Sequence, residues 1–483
     1  MISSRYDTMG ELLMIGREKE VAALERAAAS EKSEFVAIYG RRRIGKTYLV
    51  RRTFGNRLLF SHSGVENVGM EGQLRAFRSS LRDAGVAQPP RIANWFDAFD
   101  SLKDVARQAG GGKKIIFLDE LPWMDTPKSN FVPALEFFWN GWASARNDIV
   151  LVVCGSATSW IVNHILKARG GLHNRVTEQL ALRPFTLGEC ERFANECGLE
   201  LARQDLAEAY MALGGVAWYW SLLRPGMSLA GNFDSLFFNE DAKLGLEFSS
   251  LYASLFKHPE PYLKIVEALG SRGKGLTREQ LAKSCGFSES GKLSRQVEEL
   301  EQCGFVRRYA PFGAAKKGSL IQLLDSFTLF HFRFGRDRTA RSGTYWTSMF
   351  GKPQHRVWTG LAFERVCLAH VGQIRRALGI SGVVSDICSW NSRPNEEHAG
   401  SQIDLVIDRD DRIVNLCEMK FSETPYEVDA EEEARLRNRR ESFIRETGTR
   451  KAVHMTLVSP WGLKPGRHSG VFQSVVTLDD LCM

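Results

Sequence analysis

Residues 34–47 read Glu34-Phe35-Val36-Ala37-Ile38-Tyr39-Gly40-Arg41-Arg42-Arg43-Ile44-Gly45-Lys46-Thr47. The apolar run before Gly40 is short and ends on a glycine, the pattern of a buried strand. It runs straight into Gly-x4-Gly-Lys-Thr, and Tyr48-Leu-Val-Arg-Arg-Thr-Phe54 continues at helical spacing. Strand, glycine loop and helix form the context that a phosphate-binding loop requires. Glycines let the backbone N–H groups of Gly40 through Tyr48 wrap a phosphate chain. Lys46 neutralises its charge, and the Thr47 hydroxyl at a helix N-terminus suits magnesium. ATP with Mg2+ is the expected ligand.

A second stretch supports this. Lys113-Lys-Ile-Ile-Phe-Leu-Asp119-Glu120 carries four apolar residues into two acids, as a central parallel strand would deliver them to the phosphates. Asp119 is expected to hold magnesium through water, and Glu120 to orient the hydrolytic water. A further strand, Ile149-Val-Leu-Val-Val-Cys154, runs into Gly155-Ser156-Ala-Thr158. Ser156 is a candidate sensor of the terminal phosphate, or alternatively a capping hydroxyl in a turn.

At 483 residues the chain exceeds a single core, and about three domains are expected. Its 43% hydrophobic and 25% charged residues are those of a soluble globular protein. The net charge of +7 permits nucleic-acid binding without establishing it. Nine cysteines are scattered without a Cys-x-x-Cys pair, which argues against zinc or a disulfide framework and fits a reducing cytoplasm. No apolar run of about 18 residues and no secretory pattern occur, so a cytoplasmic protein without membrane association is expected.

Beyond residue 186 the pattern is helical, and Trp218-Tyr-Trp220 reads as core rather than as a stacking platform. Residues 258–325 have the order of a winged helix. Leu263–Leu269 is the first helix, Thr277 caps the second, Ser288–Cys303 is the recognition helix, and Phe305–Tyr309 and Leu320–Leu324 are wing strands. The recognition helix carries Lys292 and Arg295 but also Glu289, Glu298, Glu299 and Glu301. Arg307, Arg308, Lys316 and Lys317 make the wing basic. The recognition helix is not cationic overall, which favours a structural or protein-contacting module over a reader of DNA sequence. Residues 327–350, dense in aromatics, read as a segment packed between domains.

Gly400-Ser-Gln-Ile-Asp404-Leu-Val-Ile-Asp408 and Val414-Asn-Leu-Cys-Glu418-Met-Lys420-Phe421 alternate as strands around a turn at Asp410-Asp411-Arg412. The hairpin sets Asp404 near Glu418 and Lys420 on one face. Two carboxylates can hold a hard divalent cation there, with the lysine beside an attacking water. Glu364, the one acid of the apolar stretch Trp358–His370, is a possible third ligand. The charged run Glu427–Glu446 reads as a solvated helix laced by i,i+4 pairs.

Together, Ile15-Gly-Arg17-Glu18-Lys-Glu20, the arginine-filled loop, Gly155-Ser156 and Leu182-Arg-Pro-Phe185 resemble the archaeal-type ATPases, within the AAA+ and STAND nucleotide switches. The resemblance implies that Arg17 and Glu18 lie near the adenine. It also implies a phosphate-sensing arginine after the Ile149–Cys154 strand, Arg175 or else Arg169, and a homo-oligomer. Where such proteins show Gly-Gly-x-Pro in the lid, this chain has Gly214-Gly215-Val-Ala217. Phe363-Glu364, Ser389-Trp-Asn391, Asp404 and Glu418-Met-Lys420 resemble the restriction-endonuclease-like domain commonly fused to these ATPases. The expected fold is therefore multidomain α/β. It comprises a parallel-sheet P-loop ATPase with a helical lid over 9–256, a winged helix over 258–325, and a mixed-sheet nuclease-like domain over 340–483. The expected function is an ATP-hydrolysing switch controlling a metal-dependent DNA endonuclease, in defence or mobile-element biology. Its alternative is a nucleotide-switched scaffold whose terminal domain does not cut.

Overall fold

The computed structural model of the chain describes residues 14–167, 171–172, 174–256, 258–271, 275–287, 291–313, 319–336, 343–392 and 400–483. Two compact units are present. One holds the residues up to Pro184 with a short return at 254–256, and the other holds Phe185–Ala253 with His258–Met483.

The first unit is built on strands β1 (Glu34–Tyr39), β2 (Leu58–Ser63), β3 (Lys114–Asp119), β4 (Ile149–Gly155) and β5 (Glu178–Ala181). They form one sheet in the order β2-β3-β4-β1-β5, parallel throughout. Period-two alternation sends Phe35, Ala37, Ile116, Leu118, Leu151 and Val153 to one core. Val36, Ile38, Phe117, Val150 and Val152 go to the other. Both faces are covered by helices, so the inner strands are apolar without interruption. The edge strands β2 and β5 are partly polar, and no apolar run announces them in the sequence.

In the second unit, the helix Leu187–Glu196 begins with a capping box between Thr186 and Glu189. Tyr219 and Trp220 are fully buried, as the core reading of that cluster expects. The Gly214-Gly215 turn packs tightly against Phe185. Gly215 accepts a hydrogen bond from the Phe185 N–H at 2.7 Å, and a Cβ on Gly215 would meet the Phe185 carbonyl oxygen at 1.9 Å. The aromatic segment becomes a shared core. The Phe330 ring lies 4.6 Å from that of Phe237, 5.1 Å from Trp346 and 5.5 Å from Trp358.

The middle module has helices Glu260–Gly270, Arg278–Cys285 and Gly291–Gln302 with strands β6 (Leu276–Thr277), β7 (Val306–Tyr309) and β8 (Leu320–Leu323). The strands pair antiparallel in the order β6-β8-β7. Thr277 caps its helix as expected. One acid of the third helix is internal rather than part of its outward field, since buried Glu299 accepts from the Tyr262 hydroxyl and from Arg295. Ser288, Glu289, Ser290, Lys316 and Lys317 lie outside the described residues.

The C-terminal sheet joins β9 (Ser385–Asn391), β10 (Gln402–Arg409), β11 (Ile413–Met419), β12 (Ala452–Val458) and β13 (Ser474–Val476) in the order β13-β12-β11-β10-β9. The β9-β10 and β10-β11 pairs are antiparallel, and β11-β12 and β12-β13 are parallel. The sheet is therefore mixed. The charged run forms the helix Ala430–Thr447, with Asp429 as its cap. It is not merely solvated, because Leu436 and Phe443 are fully buried in the sheet's core.

Asp148, just before β4, is held by Arg146 through two hydrogen bonds of 2.7 and 2.6 Å and by Lys114 of β3 at 3.1 Å. The Arg146 guanidinium, with Lys114, holds its carboxyl down at about 2. A carboxylate pKa lowered by folding stabilises above its ordinary value, and that contribution is lost as pH falls through the folded one. Asp148→Asn should therefore lower stability by about 1 kcal/mol at pH 7, discounted for partial exposure. In denaturant titrations the gap to wild type should close as pH falls from 4 towards 2.

Candidate functional site

The loop after β1 turns through Gly40 at φ +146°, Arg43 at +70° and Gly45 at +91°. At Gly40 only a hydrogen fits, because a Cβ there would meet the Leu182 carbonyl oxygen at 2.3 Å. The helix Lys46–Phe54 starts directly from this turn, so its unpaired N-terminal N–H groups close the loop. Buried Lys46 donates from Nζ to the carbonyl oxygens of Gly40 and Arg41, each at 2.9 Å, and to Ser156 Oγ at 3.1 Å. Thr47 Oγ1 donates to Asp119 Oδ2 at 2.7 Å. Two hard oxygen donors thus stand side by side, a set that fits magnesium.

Glu120 follows β3 in a left-handed conformation, φ +50°. Its carboxylate accepts from the Ser156 backbone N–H at 3.0 Å and from the Ser156 hydroxyl. Ser156 therefore links Lys46 to Glu120 and is more than a turn cap. Beside them, burial and the neighbouring Asp119 charge push the Cys154 thiol well up, so it stays neutral.

Arg17 is buried, and its Nη2 donates to the carbonyls of Arg183 at 2.8 Å and Ile44 at 3.3 Å. It braces the loop from behind. Glu18 accepts from the Gly16 N–H at 3.3 Å. Arg42 and Arg43 are half-buried, and Tyr48 is exposed at 42%. Arg175 is exposed in a turn, its N–H donating to the Leu172 carbonyl at 3.1 Å. No described side-chain hydrogen bond or ion pair brings Arg175 to the loop. Arg169 lies outside the described residues.

In the C-terminal sheet, Leu405 pairs with Cys417 across β10 and β11. The pairing ends there, and the next residues on the two strands are Asp404 and Glu418. Lys420 Nζ lies 2.9 Å from Glu418 Oε1, and Arg439 takes the other oxygen of that carboxylate. Gln402 donates to Asp404 Oδ1. Glu364 is half-buried, and burial, with the charges of Asp404 and Glu418 adding, pushes its carboxyl up to about 7. The three acids therefore share one electrostatic site. Among the described residues, however, no three His, Cys, Asp or Glu side chains stand close enough to hold a metal ion together. Arg439 was hidden in the charged run. Its spacing from Glu433 and Arg437 gives no sign that it turns inward to Glu418.

Residues 14–223 match the family described as "ATPase domain predominantly from Archaea". The match takes in the phosphate-binding loop and the whole parallel sheet, and it supports nucleotide binding by this segment. An uncharacterized protein of Methanocaldococcus jannaschii is 25% identical over 423 residues, 85% of this chain and 88% of its own. An ATP-binding protein of the same organism is 35% identical over 48 residues, 10% of this chain and 81% of that one. Among solved structures, a Walker-type ATPase of Pyrococcus abyssi is similar at TM-score 0.48 and 14% identity, over 68% of this chain and 100% of its own. No helix among the described residues is long and apolar enough to cross a membrane.

Gly40→Ala tests the loop geometry. A methyl group 2.3 Å from the Leu182 oxygen must displace the turn. Nucleotide affinity measured by calorimetry should fall at least about tenfold, or 1.4 kcal/mol, and unchanged affinity would show that the loop tolerates the shift.

Proposed function

We propose that the protein is an ATP-hydrolysing switch that controls a metal-dependent DNA endonuclease in its C-terminal half. The observation that carries the first part is the convergence of Lys46, Ser156, Glu120, Thr47 and Asp119 around one loop. In this reading the loop N–H groups and Lys46 bind the phosphates of ATP, and Thr47 and Asp119 hold Mg2+. Magnesium, when bound, offsets charge on the terminal phosphates. Glu120 orients the attacking water and accepts its proton, with Ser156 handing its hydrogen bond between carboxylate and phosphate. Arg17 and Glu18 stand on the adenine side. Exposed Arg175 serves a neighbouring copy's phosphates, which makes the working form a homo-oligomer.

The second part rests on Asp404 and Glu418 at neighbouring strand positions, with Lys420 bonded to Glu418. Asp404, Glu418 and Glu364 are the carboxylates such a site would use, and because the three do not stand together as a ligand set they would have to close around a cation to hold it. Lys420 would orient an attacking water beside them. The middle module is read as a winged helix that contacts DNA or protein. Coupling is supported by links within the second unit between the helices after Phe185 and the C-terminal elements. The Leu187 N–H donates to His370 Nε2 at 2.8 Å, His355 meets buried Glu208 at 3.1 Å, and the Trp346 N–H donates to Asp234 at 2.6 Å. A lid that shifts with nucleotide state would carry these elements with it.

One observation favours the scaffold alternative. Both Glu418 oxygens are engaged by cations, Lys420 and Arg439, and a carboxylate so compensated holds a metal ion less strongly.

Two sets of variants test these assignments. Lys46→Ala should abolish nucleotide binding by calorimetry, whereas Glu120→Gln should bind ATP normally and hydrolyse it about 100-fold more slowly. Normal turnover by Glu120→Gln would remove that residue from the reaction. Asp404→Ala and Glu418→Ala should each abolish magnesium- or manganese-dependent cutting of plasmid DNA and weaken metal binding. Lys420→Ala should abolish cutting alone, and ATP turnover should survive all three. A wild-type protein that cuts no DNA in any nucleotide state decides for the scaffold.

A further inference from the structure

We propose that Arg307, carried on β7 of the middle module, completes the Asp404–Glu418–Lys420 site as a phosphate-binding residue whose ligand is the backbone of duplex DNA. The inference rests on the endonuclease reading above and assigns the middle module a part in that site.

The geometry begins at the edge of the C-terminal sheet. Beyond β7 the chain runs beside β9, where Ser389 N–H donates to the Ala310 carbonyl at 3.4 Å and Phe312 N–H donates to the Ser389 carbonyl at 2.7 Å. Pro311 and Ser389 form a parallel bridge. The Phe312 ring packs 4.8 Å from Phe443 of the C-terminal core. The wing is thus stitched to the sheet by backbone as well as by side chains.

Ser389 is also where the register breaks. Trp390 pairs with Ile403 and Cys388 with Val406, so Ser389 alone stands opposite both Asp404 and Leu405. Two residues facing one make a β-bulge, which re-aims a side chain and commonly flanks a functional site. The strand that attaches the wing therefore attaches it opposite the bulge that presents Asp404.

Arg307 has the chemistry for an anion. Its Nε donates to Gln322 Oε1 at 2.9 Å, and its guanidinium carbon lies 4.4 Å from the Tyr309 ring centroid. Those contacts fix the plane of the fork while using only one of its nitrogens, and Arg307 forms no ion pair with any described carboxylate. Arg365 and Asp404 both reach it electrostatically. Burial, with the like charge of Arg365 adding, holds the guanidinium down at about 10, still charged at neutral pH. Arg307 thus faces the charge of Asp404, while Glu418 already carries Lys420 and Arg439. A pre-oriented arginine fork beside the Lys420 and Arg439 cations matches a phosphate group, which it can meet with two parallel hydrogen bonds. A resident counter-ion to Asp404 would act as a brake, and that role predicts the opposite change in cutting.

The test compares wild type, Arg307→Ala and Arg307→Lys, with thermal unfolding as the check on folding. Binding of a fluorescent DNA duplex in EDTA is followed by anisotropy across a salt series, and cleavage is followed with magnesium or manganese. For Arg307→Ala we expect about tenfold weaker binding and a salt slope smaller by about 0.9, the loss of one phosphate contact. Cleavage should fall chiefly through a raised KM. Arg307→Lys, which keeps the charge without the fork, should restore the slope and part of the affinity, and it carries the test if the alanine variant fails to fold. Wild-type binding and slope in Arg307→Ala, or wild-type affinity in Arg307→Lys, would overturn the inference while leaving the endonuclease reading standing, as would faster cutting by either variant. A wild-type protein that neither binds nor cuts DNA would overturn both.

Discussion

The buried ammonium of Lys46 is the constraint on which the ATPase unit is organised. Removing a charge from water costs several kcal/mol unless oxygen atoms replace the lost hydration. Here the replacements are two carbonyls of its own loop and the Ser156 hydroxyl, with no described carboxylate paired to it. Three neutral acceptors hold the lysine in place without cancelling its charge. A triphosphate would cancel it, so affinity is directed to that ligand. The same requirement explains Gly40, whose missing Cβ lets the loop pass the Leu182 carbonyl, and the brace that Arg17 lays across Ile44 and Arg183.

Ser156 extends this constraint to chemistry. It sits after β4, between β1 and β3 in the sheet order, and so reaches both the lysine and Glu120. Glu120 in turn takes a left-handed backbone, which an ordinary residue adopts only when its surroundings insist. A charge, a hydroxyl and a carboxylate are thereby joined in one chain of hydrogen bonds. In the proposed reading, a change at the phosphates reaches Glu120 through that chain.

Much of this was legible in the chain. β1, β3 and β4 are short apolar runs leading to glycine or acid, because both faces of their sheet are buried. The hairpin of β10 and β11 was legible from alternation. The edge strands β2 and β5 were not, since edges tolerate polar residues and lose the pattern. Arg439 and Glu299 were misleading for a common reason. A charge on a helix reads as solvated until a partner from a distant segment, Glu418 or Tyr262, is folded against it. Arg307 belongs to the same group, since its role depends on a bulge and a strand attachment that no local pattern encodes.

The central claim is that nucleotide state at Lys46 governs activity at Asp404 and Glu418. It is tested most directly by the rate of plasmid cleavage by wild type and Glu120→Gln, each measured without nucleotide, with ADP and with ATP. The account predicts that cleavage differs at least about fivefold between nucleotide states, and that Glu120→Gln with ATP stays locked at one extreme. Cleavage at the same rate in every state, in both proteins, would contradict it.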